Sequence, residues 1–416
     1  MGWGLLCNCE RAISRPLRPM LSLLPLLVLR LVAATDPACN MPIEPVYSTD
    51  GALSGDPDDP AIWRHRGGNS LSSRIIGTDK GRKLPGGDRQ TGKIDCFRSS
   101  GHLVQSVPLS RPNNVDVEYG VAIGGETVAA RIVDIAVTCD RGRQQLRVFS
   151  LSTDDATCLT PIDGGGLPVF VGNKTEKEGL CMGVGLYKRP PGRDYAVFVI
   201  LSRKQGRSGR YLWQYRLEDR NGDGVIEARK VREFGEWSGV GEIEAVAVDD
   251  MHGTAFYSDE ECCIRAYAAD PSPEDGGDPA QELSTFGSHG FAGDREGISL
   301  YKAPALTQQV AAGDADVGVD SHGDIGWGSG SGLLIVSNQA ALGDFRAYCR
   351  RPPHHFVGSF QLAGTNGSDG SEATSTNLGP GLESGAFVAM SDSGHGRFNI
   401  YRWLPFFSLS SLLPLE

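Results

Sequence analysis

Carboxylates in this chain gather in short runs rather than spreading evenly. Asp56-Pro57-Asp58-Asp59-Pro60 holds three acids in five residues, just before Ala61-Ile62-Trp63. Its prolines stiffen the segment, and a stiff backbone carrying hard oxygen ligands suits Ca²⁺. A capped turn leading into a strand is the plainer alternative. Glu242-Ile243-Glu244, Asp259-Glu260-Glu261 and Asp294-Arg295-Glu296-Gly297 repeat the theme. Asp294 and Glu296 stand two apart, so an extended strand would put them on one face. Any one cluster is an ordinary solvated loop. Several brought together repel one another unless a cation sits between them. Lys80, Arg141 and Lys204 each follow an apolar run at the same place. Three bases in register would form a ring able to grip phosphate, with Arg141 adding a bidentate fork.

Covalent chemistry has no visible nucleophile. Gly-x-Ser-x-Gly, a Walker loop and His-Cys-x5-Arg are all absent. Arg64-His65-Arg66-Gly67 approximates a phosphohistidine motif, but its glycine is misplaced. Asp219-Arg220-Asn221-Gly222-Asp223-Gly224 opens like an EF-hand loop, yet Lys230 stands where the closing bidentate Glu is needed. A hairpin turn is the expected reading there.

Six apolar runs position these groups: Arg74 to Ile76, Val133 to Val137, Tyr195 to Leu201, Ala255 to Tyr257, Leu333 to Val336 and Ala386 to Met390. Each ends in polar residues and is followed by a short segment closing on an aromatic. Those aromatics are Phe97, Phe149, Tyr215, Tyr267, Tyr348 and Tyr401, spaced 52, 66, 52, 81 and 53 residues apart. A long-period repeat of strand pairs signals a radial all-β architecture, and six repeats predict a six-bladed β-propeller. The interval of 81 leaves room for an insertion. Equivalent strand ends in such a fold converge on one face.

Three segments are predicted: a secretory signal peptide at 1–34, a propeller domain at 44–403 and a C-terminal tail at 404–416. Arg11, Arg15 and Arg18 precede the apolar Leu21 to Val32, with small residues at Val32-Ala33-Ala34. The apolar stretch is too short to span a bilayer comfortably. The mature protein is expected to be extracellular or periplasmic, free of the membrane and monomeric. Cleavage after Ala34 removes four arginines and Glu10 and takes the net charge from −11 to −14. Nucleic acid is excluded as a partner for such a surface. An acidic protein that handles an anion would need a metal. Eight cysteines remain, an even count that suggests disulfides without fixing their pairing.

Several blocks resemble the β-propeller phytases, which are calcium-dependent. They include Asp58-Asp59-Pro60-Ala61-Ile62-Trp63, Ile76-Gly77-Thr78-Asp79-Lys80 and Arg111-Pro112-Asn113-Asn114-Val115-Asp116-Val117. Lys230 to Phe234, Glu244 to Asp250, Asp294 to Gly297, Asn377 to Pro380 and Arg397 to Trp403 follow in order. The resemblance implies a six-bladed fold and a phosphoric monoester hydrolase, 3-phytase-like, that acts on phytate (myo-inositol hexakisphosphate) with several Ca²⁺ ions. It implies that Lys80, Arg141 and Lys204 hold substrate phosphates. Glu244, Glu260, Asp294 and Glu296 would hold catalytic calcium and the attacking water. Asp59, with the carbonyls of Pro60 and Val115, would hold a structural calcium, and Asp369 with Asp392 another.

The chain departs from that family at three places. Met182 stands where a phosphate-contacting Tyr is expected, Gln205 where an acid is common, and the acidic stretch after Asp369-Gly370 is shortened to Ser371-Glu372-Ala373. Two alternatives follow: a propeller that binds calcium and phosphate without turnover, or a six-bladed calcium-dependent lactonase or esterase. The second needs one buried metal and little positive charge, against which Lys80, Arg141 and Lys204 count.

Overall fold

Each of the six apolar runs is the second strand of an antiparallel sheet, and each aromatic lies on the third. The computed structural model describes residues 43–50, 55–87, 90–172, 175–190, 192–273, 276–303, 332–340, 343–392 and 396–403. The expected leader and tail lie outside them, as do residues 304–331 of the long interval. Blade 1 comprises Pro57–Trp63, Arg74–Asp79, Gly92–Arg98 and Leu103–Leu109. Blade 2 comprises Pro112–Ile123, Arg131–Asp140 and Gln145–Leu151, with the short strands Leu159–Pro161 and Leu167–Pro168 beyond. Blade 3 is Cys181–Lys188, Val197–Arg203, Leu212–Glu218 and Glu227–Phe234. Blade 4 is Val246–Asp249, Thr254–Asp259, Cys263–Ala268 and Glu282–Phe286. Blade 5 is Asp294–Lys302, Gly332–Gln339, Asp344–Cys349 and Phe356–Phe360. Blade 6 is Ser371–Thr374, Ala386–Ser391 and Arg397–Arg402, completed on its outer edge by Tyr47–Ser48 from the start of the described chain.

First strands pack side by side in blade order, and the first strand of blade 6 returns to that of blade 1. The molecule is therefore a six-bladed β-propeller around a central channel. Hydrophobic side chains form six clusters, one in each gap between neighbouring blades. A second strand is covered on both faces, which is why it reads as a continuous apolar run rather than an alternation. The only α-helix among the described residues is Glu176–Gly179.

Disulfides add to the ring. Cys139–Cys181 ties blade 2 to blade 3, and Cys96–Cys158 ties blade 1 to the segment after the third strand of blade 2. The acidic loop at Asp219 is a hairpin turn whose carboxylate accepts N–H bonds from Gly124, Asp223 and Gly224. Three backbone donors satisfy Asp219 without a cation.

Candidate active site at the mouth of the central channel

Four of the six first strands begin with a register shift. The pairing skips from Pro57 to Pro60, from Pro112 to Val115, from Cys181 to Val184 and from Arg295 to Ile298. The residues inside these bulges are Asp58-Asp59, Asn113-Asn114, Met182-Gly183 and Glu296-Gly297. Bulges re-aim side chains at barrel rims and sites. In blades 4 and 6 the corresponding place is the lead-in to the first strand, occupied by Glu244 and Asp369. Asp58, Asp59, Asn114, Glu244, Glu296 and Asp369 line one small cavity at the mouth.

Backbones crowd there. A Cβ on Gly370 would come within 2.0 Å of Asp59 Oδ1, and one on Gly297 within 2.6 Å of the Asp369 carbonyl. Gly297 N–H donates to that carbonyl at 2.6 Å. Hydroxyls one or two positions before the end of the second strands clasp the next blade. Ser202 donates to Ile243 O, Ser258 to Glu296 O at 2.8 Å and Ser337 to Ser368 O at 2.5 Å. All three serines are buried. Each therefore fixes backbone at or beside an acid of the mouth.

The residues that follow the second strands form an outer ring. In blades 1, 2 and 3 they are Lys80, Arg141 and Lys204; in blades 4 and 6 they are Glu260 and Asp392. Bases thus lie on three consecutive blades and acids on the opposite side. Lys80 Nζ sits 2.7 Å from Asp58 Oδ1 and 2.9 Å from Asp369 Oδ2. Lys204 Nζ is 2.6 Å from Glu242 Oε1. Arg141 is buried, and its guanidinium donates to neutral groups, Asn113 Oδ1 and Met182 Sδ. Ligand oxygens of Glu242, Glu244 and Glu260 lie within 4.8 Å of one another.

Burial and mutual repulsion dominate the acids. Burial and the Asp58 charge raise Glu244 to about 8 against the pull of Lys80 and Arg141. Burial likewise lifts Glu260 and Asp369 to about 7. Glu296 is held well above the carboxylate range by burial and then by Glu244, Asp369, Glu260 and Asp294. Burial and Asp58 do the same to Asp59. For Lys80 burial opposes the charge, yet Asp58, Asp369 and Glu244 raise it well above its ordinary value.

Of the residues singled out from the sequence, Asp59, Pro60 and Val115 meet at the channel wall, where Val115 N–H donates to Asp59 Oδ2 at 3.1 Å. Glu244, Glu296 and Asp369 face one another, while Asp294 and Asp392 stand at the rim of the same group. Glu372 lines a deeper channel cavity of about 120 Å³ with Asp116 and Lys302, so it does not join Glu296 and Asp369. Sequence reasoning named Asp58 and Glu242 within acidic runs without giving either a role, and it missed the contact of Asn113 and the clasping serines. Asp58 is buried, and its Oδ2 has no hydrogen-bond partner. Its signal was available, since it adjoins Asp59 in the first acidic run. The serines also recur one or two residues before strand ends.

A family model described as Phytase matches residues 28–317. Among solved structures, the Dos1 propeller is similar at 9% identity and a TM-score of 0.38, covering 79% of this chain; the match spans 65% of that chain. Sqt1 of Chaetomium thermophilum, solved with the N-terminus of ribosomal protein L10, is similar at 10% identity and a TM-score of 0.42, with 86% and 90% covered.

Proposed function

We propose, from the premise that this chain belongs to the phytase family, that it is a secreted calcium-dependent phytase. Membership carries the reaction class, hydrolysis of phosphate esters of a small molecule. The finer reading is removal of phosphate from myo-inositol hexakisphosphate by attack of water, in a 3-phytase-like manner. One observation carries it: three bases from consecutive blades adjoin one cluster of buried acids, with Lys80 paired to Asp58 and Asp369, Lys204 paired to Glu242, and Arg141 close enough to act on Glu244. Such an arrangement suits a polyanion bound jointly by side-chain cations and metal.

The donor set fits calcium. It is made of carboxylate oxygens, hard ligands of the kind Ca²⁺ takes. Asp58 Oδ2 is buried without a partner, and the acids around it are raised by burial and then by one another. Glu244, Glu260, Asp294 and Glu296 would hold catalytic ions; Asp59, with the carbonyls of Pro60 and Val115, a structural one; and Asp369 with Asp392 another. When bound, calcium supplies neutralisation of phosphate charge and acidification of a water.

The chain's own groups do the rest. Arg141 presents a guanidinium whose protein partners, Asn113 and Met182, are neutral, so its charge is available to a phosphate. Lys80 and Lys204 border the same mouth and would bind neighbouring phosphates. Disulfides Cys96–Cys158 and Cys139–Cys181 support an oxidising destination outside the cytosol. Phosphate released from phytate by purified protein, with calcium and with chelator, tests the whole. Release that stops in chelator is expected. Tight phytate binding without release would instead identify a binding propeller.

A further inference from the structure

The turn that carries Glu260 ends in two adjacent cysteines bonded to each other, Cys262–Cys263. Cys96, Cys158, Cys139 and Cys181 are paired, and Cys349 is also disulfide-bonded. The turn joins Thr254–Asp259 to Cys263–Ala268, closed by the Asp259–Cys263 pair and by Cys262 N–H donating to Asp259 O at 2.8 Å. It is woven into the acid cluster. Glu260 Oε2 accepts Glu242 N–H at 2.7 Å, and Glu260 O accepts Arg295 Nη1 at 2.6 Å. A bond between neighbouring cysteines closes a small ring through their shared peptide and removes rotation about the bonds inside it. Rotational freedom in the turn is therefore restricted two residues from Glu260. Cys263 is fully buried, whereas Cys262 is partly exposed; every half-cystine of the two inter-blade disulfides is buried. Exposure therefore distinguishes Cys262, whose Sγ also meets Arg265 Nη2 at 3.8 Å, from all of those.

We propose that Cys262–Cys263 is a thiol-exchange site, taking a small dithiol or a protein dithiol, whose state sets the grip of the Glu242–Glu244–Glu260 cluster on divalent cations. The inference rests on that cluster being a cation site. The chemistry balances. A reductant thiolate attacks Cys262 Sγ, forming a mixed disulfide and breaking the Cys262–Cys263 bond. Cys263 leaves as thiolate and takes a proton. The reductant's second thiolate attacks its own sulfur in the mixed disulfide and closes to a cyclic disulfide. Cys262 leaves in turn and is protonated. The protein gains two electrons and two protons, and the dithiol loses them. The opened turn regains rotation, and Glu260 must be ordered anew when a cation binds.

The test uses the full-length protein. Limited dithiothreitol under native conditions, quenched with a maleimide, should label Cys262 and Cys263 while Cys96, Cys158, Cys139 and Cys181 stay unlabelled by peptide mass. Calorimetric titration with Ca²⁺ should then show binding weakened roughly threefold to tenfold, the scale of re-ordering one long side chain. Reoxidation should restore it. C262S/C263S should bind like the reduced protein and ignore the dithiol. If that variant fails to fold, the reversible change in the parent protein decides alone. Labelling of Cys139 and Cys181 first, or equal calcium binding in both states, overturns the proposal. Should the oxidised protein and Glu260→Gln bind calcium identically, the cluster is no cation site. The catalytic reading then falls, and this inference with it.

Discussion

Arg141 is buried and donates to neutral groups, Asn113 Oδ1 and Met182 Sδ, at the edge of the acid cluster. Buried Arg350, by contrast, is clamped by both oxygens of Asp249. A guanidinium held this way keeps its charge for a ligand. Arg141→Lys keeps the charge but loses the fork, so KM for phytate should rise by about tenfold or more, with kcat changed less, in initial-rate measurements. Glu244→Gln should behave in the opposite sense, lowering kcat by at least ~100-fold if the residue holds the metal that activates water. The same variant should melt no lower than the parent in chelator at pH 8, because a buried charge has been removed. A large fall in melting temperature there would mark Glu244 as a structural residue instead. Much of this residue set was legible in the sequence, because acids and bases at strand ends are conspicuous. Asp58 was not separated from Asp59, since adjacent carboxylates look alike until a bulge turns both inward. Asn113 and the serines escaped notice because neutral polar residues at strand ends are common.

At the scale of the element, the bulged first strand and the hydroxyl of the second strand work as a pair. They coincide in blade 5, where the bulge delivers Glu296 to the mouth and Ser258 of blade 4 fixes the backbone behind it. Ser258→Ala should leave the Glu296 carbonyl without that donor and cost about 1–3 kcal/mol of stability, measured by denaturant unfolding. It should also lower kcat with little change in KM, since Glu296 and not a phosphate-binding base is displaced. An unchanged kcat would reduce the clasp to a purely structural role. Gly297→Ala should be harsher, because the new Cβ meets the Asp369 carbonyl and Gly370 across the blade 5–6 gap. The sequence revealed the blades through the cadence of apolar runs and aromatics. It did not reveal the bulges, because a register shift depends on partner strands and has no residue signature of its own. The pairing of the cysteines was hidden for the same reason, being a property of blade order.

At the scale of the molecule, six clusters of apolar side chains hold neighbouring blades together, and the acids converge where the blades meet. Repulsion in that ring opposes closure of the propeller. A carboxyl whose pKa is raised on folding favours the folded state while it is protonated. For Glu244 that contribution is complete below its ordinary 4.5 and is lost as pH climbs through about 8. Glu260 and Asp369 lose theirs on the way to about 7. In chelator, therefore, the melting temperature should fall between pH 5 and pH 8. Calcium acts in the opposite direction. Protons compete with it for the same oxygens, so its affinity grows over that interval. An ion bound only by the folded state stabilises by mass action, and one site at ~100-fold its Kd should separate the calcium and chelator curves by about 3 °C or more at pH 8. The separation should narrow towards pH 5. Asp59→Ala should shrink it across the range, because Asp59 is proposed to hold the structural ion. Differential scanning calorimetry of both proteins at several pH values measures all of this. A separation that stays constant with pH would mean that calcium binds somewhere other than the raised acids, and the acid ring would then need another explanation for its burial.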